Sequence, residues 1–212
     1  MKRYILWDHD GVLVDTEPLY FEATRDALAE LGVALPYREY LADMAHGRTA
    51  WDRARAAGLD EAAVAAGRDA RNSRYQQLLC ERPIEIPGVE EVLAALAGRY
   101  AMAIVTTAKK PDFELIHRRR NIVPYMEFVL VSGDYARAKP APDPYLAALS
   151  RFDALAAEAV VVEDSERGLR SARAAGIDCV VVENAFVDGQ DSTGATARIG
   201  SLAELPALLE TM

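Results

Sequence analysis

Tyr4-Ile5-Leu6-Trp7-Asp8-His9-Asp10-Gly11-Val12-Leu13-Val14-Asp15-Thr16 is the stretch on which the fold of this chain turns. Tyr4 to Trp7 form a short apolar run that reads as a buried strand. It leads straight into Asp8 and Asp10. A buried parallel strand delivers functional groups at its C-terminal end, into the crevice beyond the sheet. Two carboxylates one residue apart at that point repel each other and lose hydration. A divalent cation relieves the repulsion, and a set of carboxylate oxygens suits Mg²⁺. Gly11 lets the backbone turn sharply and approach a ligand closely. The plain alternative is a strand ending in an acidic turn.

Downstream the pattern first turns helical. Apolar residues at helical spacing predict helices over 17–31, 37–45, 49–57 and 60–79, with Asp60 as an N-cap. No strand candidate occurs between Thr16 and Arg82. Pro83 to Pro87 reads as a return linker. Apolar runs at 101–105, 128–131, 159–162 and 179–182 then alternate with predicted helices at 89–97, 111–119, 144–152 and 166–175. The polar stretch 183–197 reads as loop, and 202–209 as a closing helix. Strands that are continuous apolar runs, separated by helices, argue for a parallel sheet covered on both faces. The expected architecture is a doubly wound parallel α/β core, residues 1–15 and 84–212, with an all-helical insert at 16–83.

Composition narrows the function. The 212-residue chain carries a net charge of −9, which argues against nucleic-acid binding, since that needs a basic face. Cys80 and Cys179 are far apart and read as reduced thiols rather than a disulfide or zinc site. The short apolar run before Asp8 fits neither a signal peptide nor a membrane span, so a cytoplasmic location is expected.

Three further stretches follow predicted strands, where an open α/β sheet binds ligands. Thr106-Thr107 offer hydroxyls and backbone N–H groups to phosphate oxygens; the alternative is a helix N-cap. In Lys139-Pro140-Ala141-Pro142-Asp143-Pro144 the prolines stiffen the backbone and pre-orient Lys139 as a counter-charge. Glu163-Asp164-Ser165 puts two acids at the end of an apolar strand, costly without a nearby cation. The alternative there is a cap for the following helix.

The forms D-x-D-G-V-L-x-D-T, K-P-x-P-D-P and E-D-S-x-x-G, in this order and after successive strands, resemble the haloacid dehalogenase superfamily. Within it the chain looks most like the β-phosphoglucomutase and phosphoglycolate phosphatase group. The resemblance implies a Rossmann-like core with a helical cap closing over the crevice. It implies Asp8 as the nucleophile forming an aspartyl-phosphate, and Asp10 as general acid, then general base. It implies Mg²⁺ held by Asp8, the Asp10 backbone carbonyl and Asp164, with Glu163 directly or through water. Thr106 and Lys139 would bind the transferring group's oxygens, with Gly11 and Thr107 beside them. Arg48, in the break His46-Gly47-Arg48-Thr49, is a candidate reader of the substrate's far end. The expected partner is a small phosphorylated metabolite, with no nucleic acid and no membrane, handled by a monomer or weak homodimer.

The chain departs from the pattern in places. His9 stands where an apolar residue is usual; strand alternation turns its side chain away from the aspartates, and a packed or hydrogen-bonded ring is expected rather than a ligand. Thr107-Ala108 replace the commoner Asn-containing turn. His46 and His117 look isolated. Hydrolysis of a small phosphate monoester is the leading function. A sugar phosphomutase is the runner-up, weakened by Tyr20 where such mutases carry a histidine. Asp10 speaks against dehalogenation and phosphonate hydrolysis. A receiver-type phospho-acceptor module matches the clustered Asp, Thr and Lys but not the helical insert.

Overall fold

The computed structural model describes residues 1–187 and 189–212, with Ala45 and Val187 described by their backbone only. Asp188, inside the stretch expected as loop, lies outside the described residues. The chain divides into two compact units, Met1–Asp15 with Glu85–Met212, and Thr16–Ile84.

The first unit is an α/β layer structure. Its strands are β1 (Tyr4–Trp7), β2 (Ala101–Val105), β3 (Phe128–Leu130), β4 (Ala159–Glu163), β5 (Asp178–Val182) and β6 (Ala197–Ile199). All pairs are parallel, in the order β3-β2-β1-β4-β5-β6. Trp7 is level with Ile104 on one side and Val162 on the other. The strands therefore end together, and Asp8, Thr106, Glu163 and Asp164 leave the sheet at one edge. The order reverses between β1 and β4, the switch point where such sheets open a crevice.

Burial on both faces explains the apolar runs. Leu6, Ala103, Val105, Val161 and Val181 belong to one cluster with Tyr145, Ala148, Leu169 and Ala172. The last four come from α7 (Asp143–Phe152) and α8 (Glu166–Ala174). Ile5, Trp7, Met102, Ile104, Val160 and Val162 are equally buried on the opposite face. Three more helices of this unit are numbered by chain order: α5 (Val89–Leu96), α6 (Lys110–His117) and α9 (Leu205–Leu209).

The second unit holds helices α1 (Glu17–Glu30), α2 (Tyr37–Ala45), α3 (Trp51–Ala56) and α4 (Glu61–Glu81) and, among the described residues, no strand. Asp60 caps α4 by accepting from the Ala63 N–H at 2.8 Å. Leu28, Trp51, Val64, Tyr75 and Leu78 are buried in this unit.

Several expectations needed correction. The third strand stops at Leu130 rather than Val131, because the Val131 N–H turns out to the Asp134 carboxylate at 2.9 Å. The stretch expected as loop runs into β6 at Ala197–Ile199. This edge strand is three residues long with an exposed Arg198 at its centre, so it leaves no apolar run to read. The closing helix begins as a 3₁₀ turn, Leu202–Glu204, before α9. Among the described residues no helix is long and apolar enough to cross a membrane.

Candidate active site

Beyond Trp7 the chain stops being extended. The Asp8 N–H donates to Val162 O at 2.9 Å, the last sheet bond, and the N–H groups of Leu13 and Val14 then turn back to His9 O. Gly11 sits at φ 85°, a conformation glycine adopts without steric cost. A Cβ on it would lie 1.9 Å from Asp164 Oδ2. The tight turn thus brings the β1 loop against the β4 loop.

Asp8, Lys139, Glu163 and Asp164 meet there, all buried. Lys139 Nζ donates to Asp8 Oδ1 at 2.5 Å and to Glu163 Oε1 at 2.7 Å. Tyr145 OH donates to the same Glu163 oxygen at 2.8 Å. The other oxygen, Oε2, accepts from Ser165 Oγ at 3.1 Å and from the Asp164 and Ser165 N–H groups at 3.2 and 3.4 Å. Glu163 is thus held by five donors. Ser165 also caps α8, accepting from the Gly168 N–H at 3.2 Å. The cap reading is therefore true of this turn, and the same serine hydroxyl also reaches Glu163.

Burial pushes the Asp8 carboxyl up to about 6, and the neighbouring Glu163 charge adds to it, against the pull of Lys139. For Glu163 burial acts the same way, but the Lys139 ammonium outweighs it and its pKa falls. Burial alone lowers Lys139, yet Asp8 and Glu163 overcome that and raise it. A ligand oxygen from each of Asp8, Glu163 and Asp164 lies within 4.8 Å of the others. This all-oxygen, negatively charged donor set fits a hard divalent cation. Because Glu163 already holds five donors, Asp8 and Asp164 are the carboxylates better placed as direct ligands.

Asp10 and Thr106 form a second group. Thr106, fully buried, donates from Oγ1 to Asp10 Oδ2 at 3.1 Å and accepts from the Ala108 N–H at 2.9 Å. Thr107 is half-buried beside it. Arg48 belongs to the helical unit, where Nε and Nη2 both reach Asp43 Oδ1, at 3.0 and 2.9 Å. Arg53 Nε takes the other Asp43 oxygen at 2.7 Å.

His117 differs from expectation, and His9 does so in one respect. His117 is not isolated: its Nε2 lies 2.9 Å from His9 Nε2. Alternation does send the His9 ring to the α6 face, yet the turn at Asp10 brings Asp10 Oδ2 within 3.2 Å of His9 Nδ1. Sequence reasoning also passed over Asn184 and Tyr145. Asn184 Nδ2 donates to Asp164 Oδ2 at 2.9 Å and to Gly11 O at 3.2 Å. It lies just past β5, where the rule of looking beyond strand ends would have found it. Tyr145 carried no signal beyond an apolar helix position.

Residues 5–182 match the model of the haloacid dehalogenase-like hydrolase family. The chain is 35% identical to a phosphoglycolate phosphatase of Cupriavidus necator, over 97% of this chain and 92% of that one. It is 31% identical to a phosphorylated carbohydrates phosphatase of Thermotoga maritima, over 98% and 99%. The crystal structure of a CbbY variant from Rhodobacter sphaeroides, in complex with xylulose-(1,5)bisphosphate, aligns with a TM-score of 0.80 at 29% identity, covering 97% of this chain and 96% of that one. With the two-carboxylate turn after β1, the buried lysine and the acid pair after β4 all in one crevice, the chain belongs to the haloacid dehalogenase-like hydrolases, in the group of the phosphoglycolate phosphatases and β-phosphoglucomutases.

Proposed function

We propose that this phosphatase hydrolyses a small sugar phosphate or phosphoglycolate-like monoester through an aspartyl-phosphate on Asp8, with Mg²⁺ as its cation. The observation that carries the reading is the shared lysine: Lys139 bonds both Asp8 and Glu163 inside a buried cluster. A buried ammonium beside a nucleophilic carboxylate draws in the dianionic phosphoryl group that Asp8 alone would repel.

The Asp8 carboxylate forms a bond to phosphorus as the bond to the leaving oxygen breaks, and Asp10 gives that oxygen its proton. Asp10, now a carboxylate, takes a proton from water as the water attacks the aspartyl-phosphate. The bond from phosphorus to Asp8 then breaks, freeing inorganic phosphate. Thr106 holds the Asp10 carboxyl in place. Asp8, Asp164 and the Asp10 backbone carbonyl would hold the cation, which supplies charge neutralisation for the transferring group. Asn184 orients Asp164.

The helical unit would supply substrate specificity, with Arg48 the residue that binds a second anionic group of the substrate. The relatives named for phosphoglycolate and for phosphorylated carbohydrates, and the CbbY complex with a sugar bisphosphate, support this class of substrate. The test is phosphate release across a panel of such monoesters, with Mg²⁺ and with EDTA, for wild type and Asp8→Asn. Turnover that needs Mg²⁺ and Asp8, with borohydride trapping of a labelled acyl phosphate, supports the reading. Near-normal hydrolysis by Asp8→Asn overturns it.

A further inference from the structure

We propose that His9 and His117 form a buried imidazole pair that positions the Asp10 carboxyl; this rests on the reading of Asp10 as the acid–base group. His9 is fully buried, and its ring packs among His117 and Phe113 of α6, with centroids 5.0 and 5.1 Å away. Phe113 and His117 lie 4.4 Å apart. The two imidazoles meet through the same atom, Nε2 to Nε2 at 2.9 Å. Such a contact requires one N–H and one lone pair.

The other side of the His9 ring settles which is which. Its Nδ1 lies 3.2 Å from Asp10 Oδ2, without the alignment of a full hydrogen bond. A carboxylate oxygen at that distance tolerates an N–H and repels a bare nitrogen. His9 therefore carries its proton on Nδ1, accepts at Nε2, and receives the Nε2–H of His117. His117 Nδ1 is then the bare nitrogen. It is buried with no hydrogen-bond partner among the described residues, the place where an N–H would be the costlier orphan. Burial holds His117 neutral, its pKa pulled down to about 3, with His9 and Arg120 adding to the effect. Asp10 Oδ2 thus accepts from the Thr106 hydroxyl at 3.1 Å and lies 3.2 Å from the His9 Nδ1–H, which attracts it without a full hydrogen bond. His117 is a positioning residue, acting through His9.

The test compares kcat/KM on two substrates. An alkyl monoester such as a sugar phosphate has a poor leaving group and needs the acid, whereas p-nitrophenyl phosphate leaves without protonation. His117→Phe keeps the ring against Phe113 but removes the Nε2 donor. It should lower kcat/KM about tenfold for the alkyl ester and leave p-nitrophenyl phosphate within about twofold. His117→Gln, which restores a donor at that place, should recover the alkyl rate. His9→Gln should show the same selective loss, and is decisive where His117→Phe does not fold. His9→Asn keeps a donor toward Asp10 but breaks the link to His117, so adding His117→Phe to it should cost nothing further. Equal losses on both substrates, or an unchanged ratio, overturn the proposal. Wild-type dependence on Mg²⁺ and loss of turnover in Asp8→Asn test the phosphatase reading separately. If those hold while the ratio stays put, only the histidine proposal falls.

Discussion

Lys139 Nζ is shared between two buried carboxylates, Asp8 Oδ1 at 2.5 Å and Glu163 Oε1 at 2.7 Å. Removing it strands both. Breaking one side of a buried ion pair costs about 3–5 kcal/mol, because the charge left behind has no compensation. Lys139→Met should therefore lose stability of that order in urea titrations at pH 8. It should also lose roughly 10²–10³-fold in kcat/KM, as for removal of a group that stabilises transition-state charge.

Asp8 makes the metal-free protein sensitive to pH. Its folded pKa, about 6, lies above the ordinary aspartate value of 3.8, so its contribution to stability is present below about pH 4 and lost as pH rises through 6. Two pKa units correspond to on the order of 3 kcal/mol, and the opposite shift of Glu163 offsets part of it. In EDTA at pH 8, Asp8→Asn should melt above wild type, and the gap should shrink toward pH 5. Added Mg²⁺ should raise the wild-type melting temperature more than that of the variant. A melting difference independent of pH would remove the account of Asp8 as a strained carboxylate.

How far the sequence reached depended on where the information lay. Asp8, Thr106 and Glu163 were legible because each ends an apolar run, and the sheet is buried on both faces. β6 was not, since a three-residue edge strand with an exposed arginine lacks that run. Tyr145 and His117 contribute through contacts with residues 18 and 108 positions away, and no local pattern marks such partners. Alternation placed the His9 ring correctly against α6, but it could not show Asp10 turning back toward that ring, because the backbone curls at Asp10.

Glu163 and Asp164 are adjacent but differently employed. Glu163 is bound by five donors, whereas Asp164 Oδ2 accepts from Asn184 Nδ2 at 2.9 Å. Asp164→Ala should raise the Mg²⁺ concentration needed for half-maximal activity far more than Glu163→Ala, whose effect on affinity should stay within about 10–100-fold, as for a group behind the ligands. Activity titrations against Mg²⁺ decide it, and equal or reversed shifts would exchange the two roles.

Arg48 can leave Asp43 without stranding it, because Arg53 holds the second oxygen at 2.7 Å. Arg48→Ala should therefore leave the melting temperature nearly unchanged. It should raise KM about tenfold or more for a monoester carrying a second anionic group, since a charge-assisted bond is worth about 1.5–3 kcal/mol. It should spare p-nitrophenyl phosphate. Equal losses on both substrates would assign Arg48 to the folding of the helical unit.

Gly168 bears no functional group, yet a Cβ there would lie 1.8 Å from the Glu163 carboxyl, as one on Gly11 would lie 1.9 Å from Asp164 Oδ2. The acid pair is built with no clearance, wedged between two bare backbones. A saturation library screened for phosphate release would flag positions 11 and 168 as intolerant, alongside the residues that do the chemistry. Alanine at either would fail by displacing a carboxylate, not by removing one. Engineering for a new substrate has almost no freedom on this wall of the crevice.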